Sequence, residues 1–277
     1  MTGRLGPAVI REIVTHEERS RCVAFQKGIW GEQFAEIVPA AILWVASRTG
    51  GIVAGAFDPD DTMVGFLFGL SGWVAGEPVH WSDMLAVLPA ARGRSIGGQL
   101  KQYQRTILLN RGIPEVTWTF DPLESRNAYL NFAHLGVTTR EYVSECYGPS
   151  SSPLHSGLGT DRLVARWVLG SDRVRQRMDE GLRPRVSADH RAAPVINDGL
   201  SPPRLDLDEP VLRLRIPADI QALKLRDAVA AAVWREHTRA AFESCFARGY
   251  EAVELIREDA EFSSYLLQLR DPGDLLR

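Results

Sequence analysis

The chain has 277 residues, 45% hydrophobic and 24% charged, with a net charge of −3 at pH 7. That composition suits a globular fold with ample core, and so small a net charge makes no electrostatic case for nucleic acid or an anionic membrane surface. The three cysteines, Cys22, Cys146 and Cys245, are odd in number and scattered, and the six histidines form no HxH or HxxxH cluster. This argues against a disulfide framework or a metal site and for a reducing, cytoplasmic setting. No run approaches the ~18 apolar residues of a membrane span, and the first residues carry no apolar stretch of the signal-peptide kind.

In chain order, residues 8–14 read as a strand. Thr15 with Glu18 forms a capping-box signature opening a helix to about Gly28, which Ile29, Trp30 and Gly31 break. A second helix is expected from Pro39 to Arg48, stopped by Gly50 and Gly51. Segments 51–57 and 62–70 form a hairpin about the polar turn Asp58-Pro59-Asp60-Asp61. Gly69, Gly72 and Gly76 suggest a loop or bulge before a strand at 79–87. The helix at 96–111 carries Ile96, Leu100, Tyr103 and Ile107 on its apolar face, with Gln99, Gln102 and Arg105 opposite. A strand at 115–120 follows, then a helix from Asp121–Asn127 to Leu135-Gly136, and strands at 138–147 and 162–169 flank a small polar loop, 148–160.

Mixed strands and helices in this succession predict an α/β, or α+β, three-layer domain over residues 1–170 with a mixed central sheet. Residues 171–210, rich in Arg among Pro, Gly and Ser, read as a linker or wrapping arm. Beyond them a strand at 211–216, a long helix from Pro217 to about Arg248 and strands at 250–256 and 263–269 predict a smaller β-α-β-β lobe. Leu225, Val229, Ala232 and Val233 are expected on one face of that helix. A lobe over 211–277 is small for an independent fold, so it should pack on the first domain or on another subunit, which leaves a homodimer open.

The segment from Trp81 to Lys101 carries the chemistry. An apolar strand runs into a glycine turn and then a helix, an arrangement that leaves backbone N–H groups free at a helix N-terminus to hold phosphate oxygens. No Lys-Ser or Lys-Thr pair follows the glycines, so this is not a P-loop, and Gly93, Gly97 and Gly98 do not have the spacing of a dinucleotide fingerprint. Arg92-Gly93-Arg94-Ser95-Ile96-Gly97 resembles the acyl-CoA loop of the GNAT acetyltransferase superfamily, Arg/Gln-x-x-Gly-x-Gly/Ala, with Ser95 where the family usually has Gly. The order of elements over the first domain also resembles the GNAT fold. The stretches 121–128 and 161–167 are similar to a branch of predicted acetyltransferases that carry a C-terminal extension.

The resemblance implies specific roles. Leu85, Ala86 and Val87 would pair with the pantetheine amides of acyl-CoA. The N–H groups of Gly93, Arg94, Ser95, Ile96, Gly97 and Gly98 would hold its pyrophosphate, with charge added by Arg92 and Arg94. Ser125, Asn127 and Ala128, on the next helix, would be further CoA contacts. Alignment on Leu135-Gly136 puts Phe132 where many members have the tyrosine that protonates the departing thiolate, and Phe cannot donate a proton. Tyr129 and Tyr147 are the substitutes, each also readable as a packed aromatic.

Asp83 lies two residues before the pantetheine-pairing segment on an otherwise apolar strand. A carboxylate there should face a cleft or pair with a cation, so it is the candidate base, with a structural salt bridge as the other reading. Glu77, Glu124 and His80 are weaker candidates, and Trp30, Trp73 and Trp81 either line an acceptor pocket or fill core. The expected function is transfer of an acetyl or other short acyl group from acyl-CoA, without a metal, to an amine on a small molecule. Amino acids and their derivatives are the first acceptors to test. The alternative is a degenerate acyl-CoA-binding or sensing domain, favoured by Phe132 and Ser95. Protein N-acylation has no distinguishing feature in the sequence.

Overall fold

The computed structural model describes residues 7–32, 34–148, 157–184, 186–199 and 201–270. Most of the expected loop 148–160 therefore lies outside the described residues. The chain divides into two compact units, one of Met1–Trp118 with Val168–Gly170, the other of Thr119–Trp167 with Ser171–Arg277. The larger sheet is seven-stranded and mixed, in the order β1-β2-β3-β4-β5-β7-β6. The boundary between the units falls inside its strand β5 (Glu115–Phe120).

In the first unit, β1 (Val9–Glu12) leads into α1 (His16–Trp30) through the capping box that Thr15 and Glu18 announce. Here Thr15 Oγ1 accepts from Glu18 N–H, and the Glu18 carboxylate accepts from Thr15 N–H and binds Arg11. Two backbone N–H groups and the Arg11 guanidinium outweigh burial and hold the Glu18 carboxyl at about 2. The helix passes the expected stop at Gly28 and ends at Gly31, whose φ of +104° suits glycine. Buried Gln26 then clamps the next segment, its amide donating to Val38 O and accepting from Val38 N–H. α2 (Ala40–Arg48) follows, and β2 (Ile52–Phe57) and β3 (Met63–Val74) form the expected hairpin. Phe25, Leu43, Phe66, Phe68, Met84 and Ala86 meet in the core between these helices and the sheet.

β3 runs straight through Gly69 and Gly72 to Val74 and turns into β4 (Glu77–Val87), so of the loop or bulge expected there it is the bulge that forms. Phe68 pairs with Met84 but Leu70 pairs with Trp81, so Ser82 and Asp83 together oppose Gly69. A short 3₁₀ turn, Pro89–Ala91, leads to α3 (Ile96–Asn110), then β5. The buried face of α3 is Ile96, Leu100, Lys101, Gln104, Arg105 and Leu108. That corrects the expected face: Tyr103 and Ile107 are only half-buried, whereas Arg105 is inside, its Nε donating to Leu169 O at 2.9 Å.

In the second unit, the expected helix after β5 is short. α4 (Ser125–Tyr129) passes into a π-helical turn, Leu130–Leu135, closed by Gly136 in the left-handed region. The strand expected at 138–147 is reduced to β6 (Tyr142–Val143), which pairs with β7 (Arg162–Val168). Segment 171–210 contains two helices, α5 (Asp172–Met178) and α6 (Ala188–Ala192). β8 (Val211–Pro217), β9 (Tyr250–Arg257) and β10 (Phe262–Leu269) form a three-stranded antiparallel sheet, order β8-β10-β9.

The single long helix expected after Pro217 is two helices. Pro217 ends β8, Asp219 caps α7 (Ile220–Arg226), and Asp227 caps α8 (Ala228–Ala247) through Ala230 N–H at 2.9 Å. The inner face of α8 is Ala231, Trp234, Arg235, Thr238, Ala241, Phe242 and Cys245, whereas Leu225 and Val229, expected on one face of a single helix, fall on different helices and are exposed. Arg235 grips Asp121 with 2.7 and 2.8 Å contacts, and Arg239, one turn on, grips Asp161 at 2.8 Å through two nitrogens.

Gly69 is where the first unit has least room. A Cβ built there would lie 2.3 Å from His80 Nε2 and 2.8 Å from Trp81 O. Gly69→Ala should therefore destabilise the protein by about 1–3 kcal/mol, the usual cost of overpacking a filled site. A denaturant midpoint equal to that of the wild type would show that β4 does not press on this residue.

Candidate functional site

The bulge decides what β4 presents. His80 and Ser82 meet α3 side chains, whereas Met84 and Ala86 join the core beneath α1 and α2. Beyond the bulge, Leu85 and Val87 are the nearest groups to Gly97, at 4.0 and 3.9 Å from where its Cβ would stand. On one edge β4 pairs with β3, Leu85 with Leu67, Ala86 with Phe66 and Val87 with Gly65. On the other edge it pairs with β5 at His80↔Val116 and Trp81↔Thr117. The ladder does not continue to Ser82 and Trp118, so within the first unit the stretch from Ser82 to Val87 has no strand on that side.

The loop after β4 turns into α3 through an unusual backbone. Ser95 sits in the left-handed region at φ +58° and ψ 18°, which is why a glycine would suit this position. It is the N-cap of α3 but makes no side-chain cap bond. The first α-helical bond is from Gln99 N–H to Ser95 O, so the N–H groups of Ile96, Gly97 and Gly98 have no helical acceptor. A Cβ at Gly98 or Gly93 would meet nothing within 4 Å, so the space before these groups is open. Half-buried Arg94 forms a fork pair with buried turn residue Asp58, Nη2 to Oδ1 at 2.6 Å and Nη1 to Oδ2 at 3.2 Å, which fastens the loop to the β2–β3 hairpin. Arg92 is exposed, with no side-chain partner among the described residues.

Asp83, in the bulge, has no cation partner among the described residues. Solvent reaches it, yet the protein around it raises its carboxyl above the usual range, opposed by the Trp81 indole N–H. Trp30 stacks on Phe34 with centroids 5.5 Å apart, and both pack on the α1–α2 core. Trp73 is 74% exposed and is neither core nor part of that cluster.

The remaining expected site residues lie in the second unit. Ser125 Oγ is buried, 2.8 Å from Ser263 Oγ. Asn127 is exposed and Ala128 buried. Tyr129 is covered by Arg257, 4.0 Å above its ring, with His134 edge-on. Tyr147 is exposed, its hydroxyl 2.6 Å from Thr119 Oγ1 on β5. Phe132 is fully buried between Phe120 and Tyr265, so the position of the family's tyrosine is core. Glu124 is held by Gln221 at 2.6 Å, and burial raises its carboxyl.

Sequence reasoning overlooked a polar network under the bulge. Lys101 Nζ donates to Ser82 Oγ at 2.8 Å and to Gln104 Oε1 at 3.1 Å. The Gln104 amide nitrogen then faces His80 Nε2 at 3.0 Å, so that ring nitrogen must accept. Nδ1–H is left to donate to Ser71 Oγ at 2.9 Å, and Ser71 donates to Gly50 O. Burial, then the charges of Lys101 and Arg111, hold His80 down to about 3. The available signal was Lys101 and Gln104 at i, i+3 beside Leu100, which hydrophobic periodicity alone discards.

No family model and no curated protein matches the sequence. Among solved structures, the chain is similar to an N-acetyltransferase from Staphylococcus aureus Mu50, at 15% identity over 59% of this chain and 99% of that one, TM-score 0.48. It is similar to a chain of the NatC complex bound to Gag peptide and CoA, at 13% identity over 59% and 99%, TM-score 0.47. An aminoglycoside 6′-N-acetyltransferase complexed with coenzyme A gives 14% identity over 59% and 98%, TM-score 0.45. No helix among the described residues is long and apolar enough to cross a membrane.

Because His80 is neutral in the fold down to about pH 3 but takes a proton near 6.5 when unfolded, the unfolded state binds more protons between those values. Stability from this group is complete above pH 6.5 and falls as pH drops toward 3, by at most about 1.4 kcal/mol per pH unit. Denaturant unfolding at pH 7 and pH 5 should show a loss of about 2 kcal/mol in the wild type and a smaller loss in His80→Gln. Equal losses would mean that His80 is not the group concerned.

Proposed function

We propose that the chain is an acyl-CoA-dependent N-acyltransferase, moving an acetyl or other short acyl group to the amine of a small molecule. The observation that carries this is the open loop at the N-terminus of α3, facing Leu85 and Val87 where, within the first unit, β4 has no strand on its β5 side. Three unbonded N–H groups at a helix N-terminus fit a pyrophosphate, and Arg92 is free to add charge. An unpartnered strand edge fits a chain that carries amides, as pantetheine does. Residues 1–170 would form the acyl-CoA-binding domain and 211–277 a smaller lobe.

In this reading the acceptor nitrogen attacks the thioester carbonyl directly, since none of the cysteines lies by the loop. A backbone N–H near Leu85 would stabilise the oxyanion. Asp83, directly or through water, would take the amine proton. Its raised pKa brings it closer to the working range of a general base, and it acts only when deprotonated, so turnover should fall as pH drops through that value. If the thiolate needs a proton, Tyr147, hydrogen-bonded to Thr119, and Tyr129, beneath Arg257, are the candidate donors.

The second reading, an acyl-CoA-binding domain without turnover, is favoured by Phe132, whose burial removes a proton donor from the family's usual place. Release of CoA thiol in the presence of a panel of amines separates the two, and binding of acyl-CoA without release would leave only the second.

Gly97→Glu puts a carboxylate into the first turn of α3, where its Cβ meets Val87 and Leu85 only at ordinary contact distance and its charge favours the helix dipole. The variant should fold as well as the wild type and lose acyl-CoA binding by at least about 100-fold, several kcal/mol being the cost of facing a carboxylate to a dianion. Unchanged affinity by calorimetry would rule out the loop as the phosphate site. Asp83→Asn should lower kcat about 100-fold, within the usual worth of a general base, at nearly constant acyl-CoA affinity. A kcat within twofold of wild type would remove Asp83 from the chemistry.

A further inference from the structure

One end of the β8–β10 ladder opens into a cleft of about 420 Å³, all of whose lining residues belong to the second unit. Two backbone contacts build it. Phe262 pairs with Pro217 at the end of the ladder, and Ala218 N–H then donates to Glu261 O at 2.7 Å. They bring Asp219, the cap of α7, and Glu261, in the turn between β9 and β10, to the same opening. The apolar wall is Trp234 of α8 with Phe262, ring centroids 5.9 Å apart, and Leu223 of α7. Gly199 lies so close against the indole that a Cβ there would stand 2.0 Å from Trp234 Cζ2.

We propose that this cleft binds an amino-acid-like zwitterion with an apolar side chain. The ammonium would sit on Asp219 and Glu261, the carboxylate on Arg226, and the side chain on the wall of Trp234 and Phe262. The inference goes beyond the acyltransferase reading and does not rest on it, because no residue of the first unit takes part.

Each polar group at the cleft has capacity left over. Glu261 is fixed through its main chain, whose N–H donates to Asp259 Oδ1 at 2.7 Å, while its carboxylate has no hydrogen bond or ion pair among the described residues. Asp219 accepts from Ala222 N–H through Oδ1 at 2.9 Å, which leaves Oδ2 without a hydrogen bond. Arg226, at the end of α7, also lines the cleft and has no carboxylate partner among the described residues. Trp234 is only 6% exposed, yet its indole N–H has no acceptor there either. An indole N–H in such a place usually finds a partner, and a ligand oxygen would supply one. A simple cation would leave Arg226 and this donor unused, and a simple anion would meet two carboxylates. A metal ion would gain nothing from the aromatic wall. Opposite charges joined to an apolar body engage every group, and the volume falls in the range of about 300–1,000 Å³ usual for small-molecule sites.

The test uses the full chain and calorimetry. The probes are L-phenylalanine and L-leucine, with phenethylamine, which lacks the carboxylate, and 3-phenylpropanoate, which lacks the ammonium. At least one of the amino acids should bind saturably, and where it is phenylalanine the two truncated probes should bind at least about tenfold more weakly, the usual worth of a charged hydrogen bond. Glu261→Gln and Arg226→Gln change exposed side chains, so both variants should fold as the wild type does and weaken the amino acid at least about fivefold. Failure of both amino acids to bind overturns the proposal. Phenethylamine binding as tightly as phenylalanine would make this a cation site and also overturns it. Amino-acid binding that neither substitution weakens would place the ligand elsewhere on the chain and removes the cleft as its site.

Discussion

One extra residue in β4 governs the first unit. With strict alternation from Leu85 backward, Asp83 would point to the same side as Leu85, into the place that Ser82 occupies among Lys101 and Gln104. The bulge shifts the phase, so a hydroxyl goes in and the carboxylate stays in reach of solvent. Gly69 is the condition for this, since any side chain there would collide with His80 and the Trp81 carbonyl. The same shift sends Met84 and Ala86 into the apolar core and leaves Leu85 and Val87 beneath the glycine loop.

The second unit is organised by different means. Its polar groups are paired where its elements end: Arg173 Nε donates to Gly136 O after the π-helical turn, Trp167 Nε1 donates to Leu135 O, and Tyr265 donates to Pro122 O. Phe132, Tyr265, Phe242 and Tyr142 follow one another edge-on or stacked, an aromatic run that ties the π-helical turn to β10, α8 and β6. A tyrosine at position 132 would need a hydrogen-bond partner inside this run, and packing alone is enough to explain phenylalanine there.

Local rules made much of the fold legible. Thr15 and Glu18 announced α1, the Asp-rich turn 58–61 the first hairpin, and the glycine loop the start of α3, because each signal acts within a few residues of itself. Failures came where the deciding partner is remote. The bulge depends on what β3 places opposite, so three glycines read as either a loop or a bulge. The buried faces of α3 and α8 contain Lys101, Gln104, Arg105, Arg235 and Thr238, which hydrophobicity assigns to solvent and which are inside because partners from other elements await most of them. Asp227 ended one helix and began another as an extended capping residue, whereas Pro217 invited the wrong start. Of the candidate site, the open glycine loop before α3 was legible, and the network of Ser82, Lys101, Gln104 and His80 was not.

The paired arginines of α8 bear on how the gene can be cut. Asp121 and Asp161 flank the strands β5 and β7, and their chief cations, Arg235 and Arg239, arrive more than seventy residues later in the chain. A shortened chain ending before α8 would leave both carboxylates without those cations, and losing one partner of a buried ion pair costs about 3–5 kcal/mol. The C-terminal segment is therefore part of what makes the ends of these strands affordable, and a minimal fragment designed on residues 1–170 would need two neutral replacements before it could be expected to fold.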